Sequence, residues 1–334
     1  MIRSRVSLVI VLLLALALPG SQAARLWLLD QRADPAGKPV VVEVPKGAGV
    51  WQVADILAQA GVIRHPWAFA AATRLMPAGP LKAGEYALSP AMSHRGLIEH
   101  LGRGRVLLHD VTVPEGYTLA QIIDRLADLR LVEREAAQDL ARDPEFIASL
   151  GLKGQSLEGY LFPDTYRFPR GLGARAVLGA MARRFLAEWQ PLAGEARRLG
   201  LGMIQAVTLA SIIEREARVA AERPLVSAVY HNRLKQGMKL QADPTVIYGL
   251  KDVSGGPTRA HLERDHPYNT YTREGLPPGP ICSPGLASLV AAVRPAPVDY
   301  VYFVAKGDGS HAFSRDYRDQ VNNVNRYQKR PNQD

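Results

Sequence analysis

Residues 42–57 read VEVPKGAGVWQVADIL, and residues 111–126 read VTVPEGYTLAQIIDRL. Each opens as an alternating strand, turns at Pro–x–Gly and continues as an amphipathic helix. Apolar positions coincide at 50 and 119, at 53 and 122 and at 57 and 126, and Asp55 matches Asp124. The pair predicts two strand–turn–helix units, too few copies for a solenoid. Between them, residues 81–88 read as a turn and strand, and 93–103 as a short helix ending at Gly102 and Gly104. Residues 133–150 are a polar helical stretch, and Gly151-Leu-Lys-Gly154 marks a break. A domain boundary is expected there.

Beyond the break, SLEGYLFPDTYRFP (156–169) predicts an ordered, non-helical segment, and helices are expected over 174–199, 203–221 and 223–236. Residues 240–285 are rich in Pro, Gly, Tyr and Asn, the loop density from which binding grooves are built. Residues 298–304 alternate like a strand, and Gly307-Asp-Gly309 reads as a hairpin turn into residues 311–314.

The 334 residues suit about two domains. Lys and Arg number 41 against 32 Asp and Glu, so the charge of +9 favours an anionic partner. The basic residues are scattered without a dense block, which argues against nucleic acid. Cys282 is the single cysteine, so no intramolecular disulfide can form. Arg3 and Arg5 precede an uncharged run over 6–18, whose apolar character persists weakly to Ala24. This is either a signal peptide cleaved after a small-x-small site or a short membrane span. Both readings send residues 30–334 across the membrane.

The expected helix at 203–221 is mostly apolar yet carries Glu214 and Glu216. A carboxylate in apolar company keeps its proton to higher pH, as a general acid must. Helical periodicity puts Val207, Ala210, Ser211, Ala217 and Ala221 around Glu214, and Leu209, Ile212, Val219 and Ala220 around Glu216. Both faces are apolar, so spacing does not choose; the smaller surround of Glu214 leaves more room for a ligand. Either glutamate could instead pair with Arg215, Arg218 or Arg223. Downstream, Gln241, Asp243, Tyr268, Asn269 and Tyr271 lie among rigid Pro/Gly turns. Amides and phenols hydrogen-bond sugar hydroxyls and acetamido groups. Asp243-Pro244 also reads as a turn-former, and Glu158 and Asp164 as polar turn residues. HLERDHP (261–267) has no regular zinc spacing, and Gly255-Gly256 lacks the Lys-Ser/Thr of a phosphate loop.

The stretches SLEGYLFPDTYRF, LASIIEREA, NRLKQGMKLQADPTVIYG, YNTYTREGLPPGPI and YVYFVAKGDGSHAFS resemble the YceG-like family of endolytic murein transglycosylases across nearly the whole chain. The resemblance implies an α+β protein: a cytoplasmic tail at 1–5, a retained membrane helix at 6–24, and a LysM-like module at 39–105. A second strand–turn–helix unit at 106–150 and a catalytic domain at 151–330 follow. It implies a periplasmic enzyme on the inner membrane, acting on peptidoglycan glycan strands beside peptidoglycan synthases and needing no metal or organic cofactor. The family's A-S-I-[IV]-E-[RK]-E motif puts the acid at Glu214. Gln241, Asp243, Tyr268, Asn269 and Tyr271 are implied to bind substrate. A single carboxylate would protonate the leaving oxygen, then deprotonate the muramic C6 hydroxyl to give 1,6-anhydro ends. Two rivals stand beside this: a muramidase whose second carboxylate, Asp243 or Glu216, activates water, and a non-catalytic glycan-binding scaffold.

Overall fold

The computed structural model describes residues 22–76, 79–250 and 256–328. The anchor expected at 6–24 lies outside the described residues except for its last three positions, which are helical. No helix among the described residues is long and apolar enough to cross a membrane.

The chain divides into two compact units. The first comprises residues up to His109 together with Arg167–Gly171. Its strands β1 (Val40–Val44) and β2 (Gly84–Leu88) pair antiparallel, with Val42 opposite Tyr86 and Val40 opposite Leu88. Alternation buries Val42, Val44, Tyr86 and Leu88 on one face and leaves Val41 outside. Helices α1 (Val50–Gln59), α2 (Pro66–Leu75) and α3 (His94–Arg103) cover that face with Val53, Leu57, Phe69, Leu97 and Leu101. The helix expected at 93–103 is thus present, capped by Ser93 and stopped by Gly104 in the left-handed region at φ 67°.

The second unit comprises residues 110–166 and 172 onward. The boundary therefore falls at 109/110 rather than near 151, and the second strand–turn–helix stretch belongs almost wholly with the C-terminal part. Strand β3 (Leu108–Thr112) pairs with β4 (Thr165–Pro169). Helix α4 (Leu119–Asp128) then repeats the local plan of β1 and α1. The repeat extends to its turns, for Gly47 and Gly116 hold φ of 79° and 78°, a region L side chains avoid. The polar stretch at 133–150 is two helices, α5 (Arg134–Leu140) and α6 (Pro144–Ser149), the second capped by Asp143.

Helix α7 (Ala174–Trp189) stops short of the expected end because Pro191 follows, and α8 (Ala193–Arg198) completes the span. Helix α9 (Met203–Glu216) is the core, buried at every position from Ala206 to Ile213. It packs chiefly on α13 (Leu286–Val293), and also on α10 (Arg223–Lys235) and α11 (Asp243–Gly249). It ends five residues early, because Ala217 turns extended at ψ 100°. The short helix α12 (Arg259–Glu263) lies in the loop-rich region. Strands β5 (Tyr302–Ala305) and β6 (His311–Ser314) form the expected hairpin around Gly307 and Gly309, and α14 (Tyr317–Tyr327) packs on it.

Thr118 and Gln121 cap α4 reciprocally: the Thr118 hydroxyl accepts from the Gln121 N–H, and the Gln121 amide oxygen accepts from the Thr118 N–H. Thr118→Ala should lower the stability of the second unit by about 1 kcal/mol, read as a shifted urea midpoint with the denaturant slope unchanged.

Candidate active site

The early end of α9 decides which glutamate meets the groove. Residues 217–221 no longer continue a helical face, so Val219 is solvent-exposed and does not crowd Glu216. Glu216, half-buried at the helix's last turn, lies where two lobes of one groove meet. Both lobes, about 350 and 290 Å³, are lined by Glu216, Asp243, Ala305 and His311. One continues past Arg215, Arg218, Gly307 and Gly309. The other continues past Gln241, Tyr271, Arg233 and Gln320.

Glu216 accepts a hydrogen bond from the buried Tyr230 hydroxyl (3.2 Å, to Oε1). Burial raises its pKa to about 7, the negative charge of Asp243 adds to the rise, and the Tyr230 bond opposes it. Its place at the negative end of α9 also disfavours a carboxylate. Asp243 opens α11, with Pro244 in its first turn, and accepts from the Tyr271 hydroxyl at 2.5 Å. Reading Asp243 only as a turn-former is incomplete: it does start a helix, but its side chain also faces the groove. Gln241 sits at φ 51°, its N–H bonded to the Thr270 carbonyl and its side-chain oxygen accepting from Arg233 (3.2 Å).

Glu214 is absent from both linings. Its side chain is 7% exposed and is held by two positive partners. Oε1 accepts from Arg223 (3.4 Å), and Oε2 accepts from the Gly285 N–H at the start of α13 (2.9 Å). Arg223 also reaches Glu115 at 4.0 Å and donates to the Ser288 hydroxyl. Burial, then the charge of Glu214, pushes the Glu115 carboxyl up, against the pull of Arg223. Glu115 is thus a second carboxylate near Glu214, and Arg223 reaches both.

Comparison with known proteins agrees with this architecture. The model of the YceG-like family matches residues 42–326. The chain belongs to the YceG-like family. An endolytic murein transglycosylase of Bacillus subtilis (strain 168) is 32% identical over 292 residues, 83% of this chain and 81% of the relative. One from Streptococcus pneumoniae (strain D39) is 28% identical over 319 residues, 86% of this chain, which spans 58% of that protein's length. A crystal structure of a YceG-like protein from Listeria monocytogenes superposes with a TM-score of 0.60 at 32% identity, covering 86% of this chain and 99% of that one.

Within this YceG-like chain, the five residues expected to bind substrate separate into two groups. Gln241, Asp243 and Tyr271 line the groove with Glu216. Asn269 is buried, and its amide donates to the carbonyls of His261, Leu262 and Arg264 (3.3, 3.1 and 2.7 Å). Its oxygen accepts from the Tyr271 N–H. These bonds shape the loop that carries Tyr271. Tyr268 packs on Tyr248 with ring centroids 4.9 Å apart. Tyr248 in turn donates to Glu158, whose other oxygen accepts from the Leu119 N–H at the start of α4. Burial raises the Glu158 pKa to about 7. Glu158 is thus a buried strut, more than the polar turn residue its sequence context suggests.

Sequence reasoning passed over three contributors. Arg233 is buried and donates to the carbonyls of Val301, Lys239 and Leu240 as well as to Gln241. Tyr230 stands on α10 two residues before the stretch that opens at Asn232, outside any motif. His311 is fixed by Glu222, which accepts from its backbone N–H at 3.0 Å and sits 2.7 Å from Nδ1.

Two outcomes follow from these contacts. Asn269→Ala removes the amide donor shared by the carbonyls of His261, Leu262 and Arg264 and should cost about 1–2 kcal/mol, read by thermal or urea unfolding. Glu216 holds its proton to about pH 7 in the fold but ionises near 4.5 in an unfolded chain. Its contribution to stability is therefore full below pH 4.5 and is lost as pH rises through 7. Glu216→Gln should gain stability relative to the parent between pH 5 and pH 8, measured as the difference in urea midpoints. A constant difference across that window would contradict the raised pKa.

Proposed function

We propose that the chain is an endolytic murein transglycosylase in which Glu216, rather than Glu214, is the acid. The observation that carries this reading is Glu216 itself, retaining a proton to near-neutral pH at the junction of a two-lobed groove shared with Asp243. The names of the Bacillus and Streptococcus relatives support the reaction class. The substrate is the peptidoglycan glycan strand, cut between N-acetylmuramic acid and N-acetylglucosamine.

Tyr230 occupies Oε1 of Glu216 and leaves Oε2 to carry the proton. That proton passes to the glycosidic oxygen as the bond from muramic C1 breaks. The resulting carboxylate then takes the proton of the C6 hydroxyl, and the new bond from that oxygen to C1 closes the 1,6-anhydro ring. Water is not consumed, and the intramolecular attack benefits from high effective molarity. Asp243 keeps the proton on Glu216 before reaction and stabilises positive charge developing at C1. Gln241 and Tyr271 contact the sugar.

A muramidase is the second reading, and Asp243 is what favours it. A carboxylate beside the acid could activate water, as in ordinary two-carboxylate glycosidases. The remaining parts of the proposal rest on sequence and element order. Residues 6–24 anchor the chain in the cytoplasmic membrane with the rest outside, where synthases are natural partners. The order β1–α1–α2–β2 supports a LysM-like module at 39–105.

Glu216→Gln should reduce cleavage of purified glycan strands by the ~10²–10⁴-fold typical of general acid–base catalysis. Glu214→Gln should instead act through stability, lowering the unfolding midpoint more than it lowers activity. The products should be internal cuts bearing anhydro-muramic ends that resist borohydride reduction. Reducible muramic ends that take up oxygen-18 from labelled water would establish the muramidase. An active Glu216→Gln beside a folded, inactive Glu214→Gln would return the acid to Glu214.

A further inference from the structure

The two lobes of the groove differ in chemistry. The lobe shared with Gln241 and Tyr271 is edged by the amides of Gln320 and Gln328. The other is edged by Arg215 and Arg218, on either side of Glu216 in sequence. Both arginines are exposed, and neither forms an ion pair among the described residues. Most other arginines near the groove are committed: Arg223 to Glu214, Arg233 to backbone carbonyls, Arg315 to Asp299. Arg215, on the last turn of α9, and Arg218, just past the extended Ala217, line the same lobe.

The wall contributed by the β5–β6 hairpin has a complementary feature. Gly307 and Gly309, at φ of 95° and 90°, line this lobe without side chains, and a Cβ added at either would meet open space. A linear sugar chain needs no such gap, whereas a substituent branching from the strand does. Two uncommitted guanidiniums facing a bare glycine wall suit a branch that carries carboxylates, since guanidinium forks bind carboxylates in paired hydrogen bonds.

We propose that Arg215 and Arg218 form a recognition site for the carboxylates of a stem peptide on the muramic residue, so that the enzyme selects strands with free stem carboxylates. This rests on the glycan-cleaving reading above. Lysine-like point charges would attract the same anion without the paired geometry, so charge and geometry can be separated.

The experiment compares glycan strands carrying free stem carboxylates with the same strands after chemical amidation of those carboxylates. Cleavage is followed by mass spectrometry of fragments at several salt concentrations. For the parent enzyme, KM should be about tenfold higher on amidated strands, a size expected of two partly exposed charge pairs. The ratio should shrink as salt rises. In the Arg215→Gln/Arg218→Gln double variant the ratio should fall to about one, while Arg215→Lys/Arg218→Lys should recover part of it. Equal KM on both strands for the parent overturns the proposal, as does a double variant that keeps the parent's ratio. Failure of the underlying reading looks different: the parent would cleave neither strand, or Glu216→Gln would cleave both.

Discussion

A buried guanidinium holds the groove together. Arg233 projects from α10 into a region where two separate chain segments, 239–241 and the start of β5, end in carbonyls that need donors. Buried carbonyls left unpaired are costly, and one planar fork with five donors satisfies three of them and the Gln241 amide together. Desolvation pulls the Arg233 pKa down, while neighbouring phenols pull it up, Tyr230 foremost. Arg233 and Thr270 together hold the left-handed Gln241, two residues before Asp243 at the head of α11: Arg233 donates to its side-chain oxygen, and the Thr270 carbonyl accepts from its N–H. One side chain thus ties the lead-in to β5 to the segment that leads into the groove-lining Asp243.

Much of the scaffold was legible in the sequence because it follows from local rules. The matched Pro–x–Gly turns foretold two strand–turn–helix units, and the glycines do adopt left-handed φ in both copies. The hairpin at Gly307–Gly309 and the stop at Gly104 were readable for the same reason. The domain boundary was not. Gly151 and Gly154 are genuine turn glycines, at φ of 74° and 146°, but a turn does not divide a domain unless few contacts cross it. Leu157 bonds back to the Ala141 carbonyl, and Glu158 to the Leu119 N–H, so the chain on both sides of the turn forms one body.

The site was legible in its residue types, while the surroundings of each residue were not. Periodicity extended α9 to residue 221, since Ala-Arg-Val-Ala contains no breaker, and two of the four residues it placed around Glu216, Val219 and Ala220, lie beyond the helix end. Asn269 and Gln241 carry the same amide. That group can bind a sugar or satisfy a backbone, and sequence cannot distinguish a donor facing solvent from one facing three carbonyls. Arg233 lies inside a quoted stretch and Tyr230 just before it, but the contacts that make them matter are wholly tertiary.

Two glutamates separated by one arginine thus have opposite electrostatic company. Glu214 faces inward, bonded to Arg223 and to the Gly285 N–H at the start of α13. Glu216 faces a groove, at the negative end of its own helix, beside Asp243 and within reach of one neutral phenol. A general acid must arrive protonated and must be able to give the proton up; Glu216's surroundings meet the first condition. The second depends on substrate. A positive centre forming at muramic C1 would lower the cost of an anionic Glu216 at the moment the glycosidic bond breaks. Asp243, which raises that cost before the sugar ionises, would then be drawn to the same positive centre. One fixed pair of carboxylates can in this way hold the proton before the reaction and favour its release during it, because the charge between them changes sign of effect as the sugar ionises.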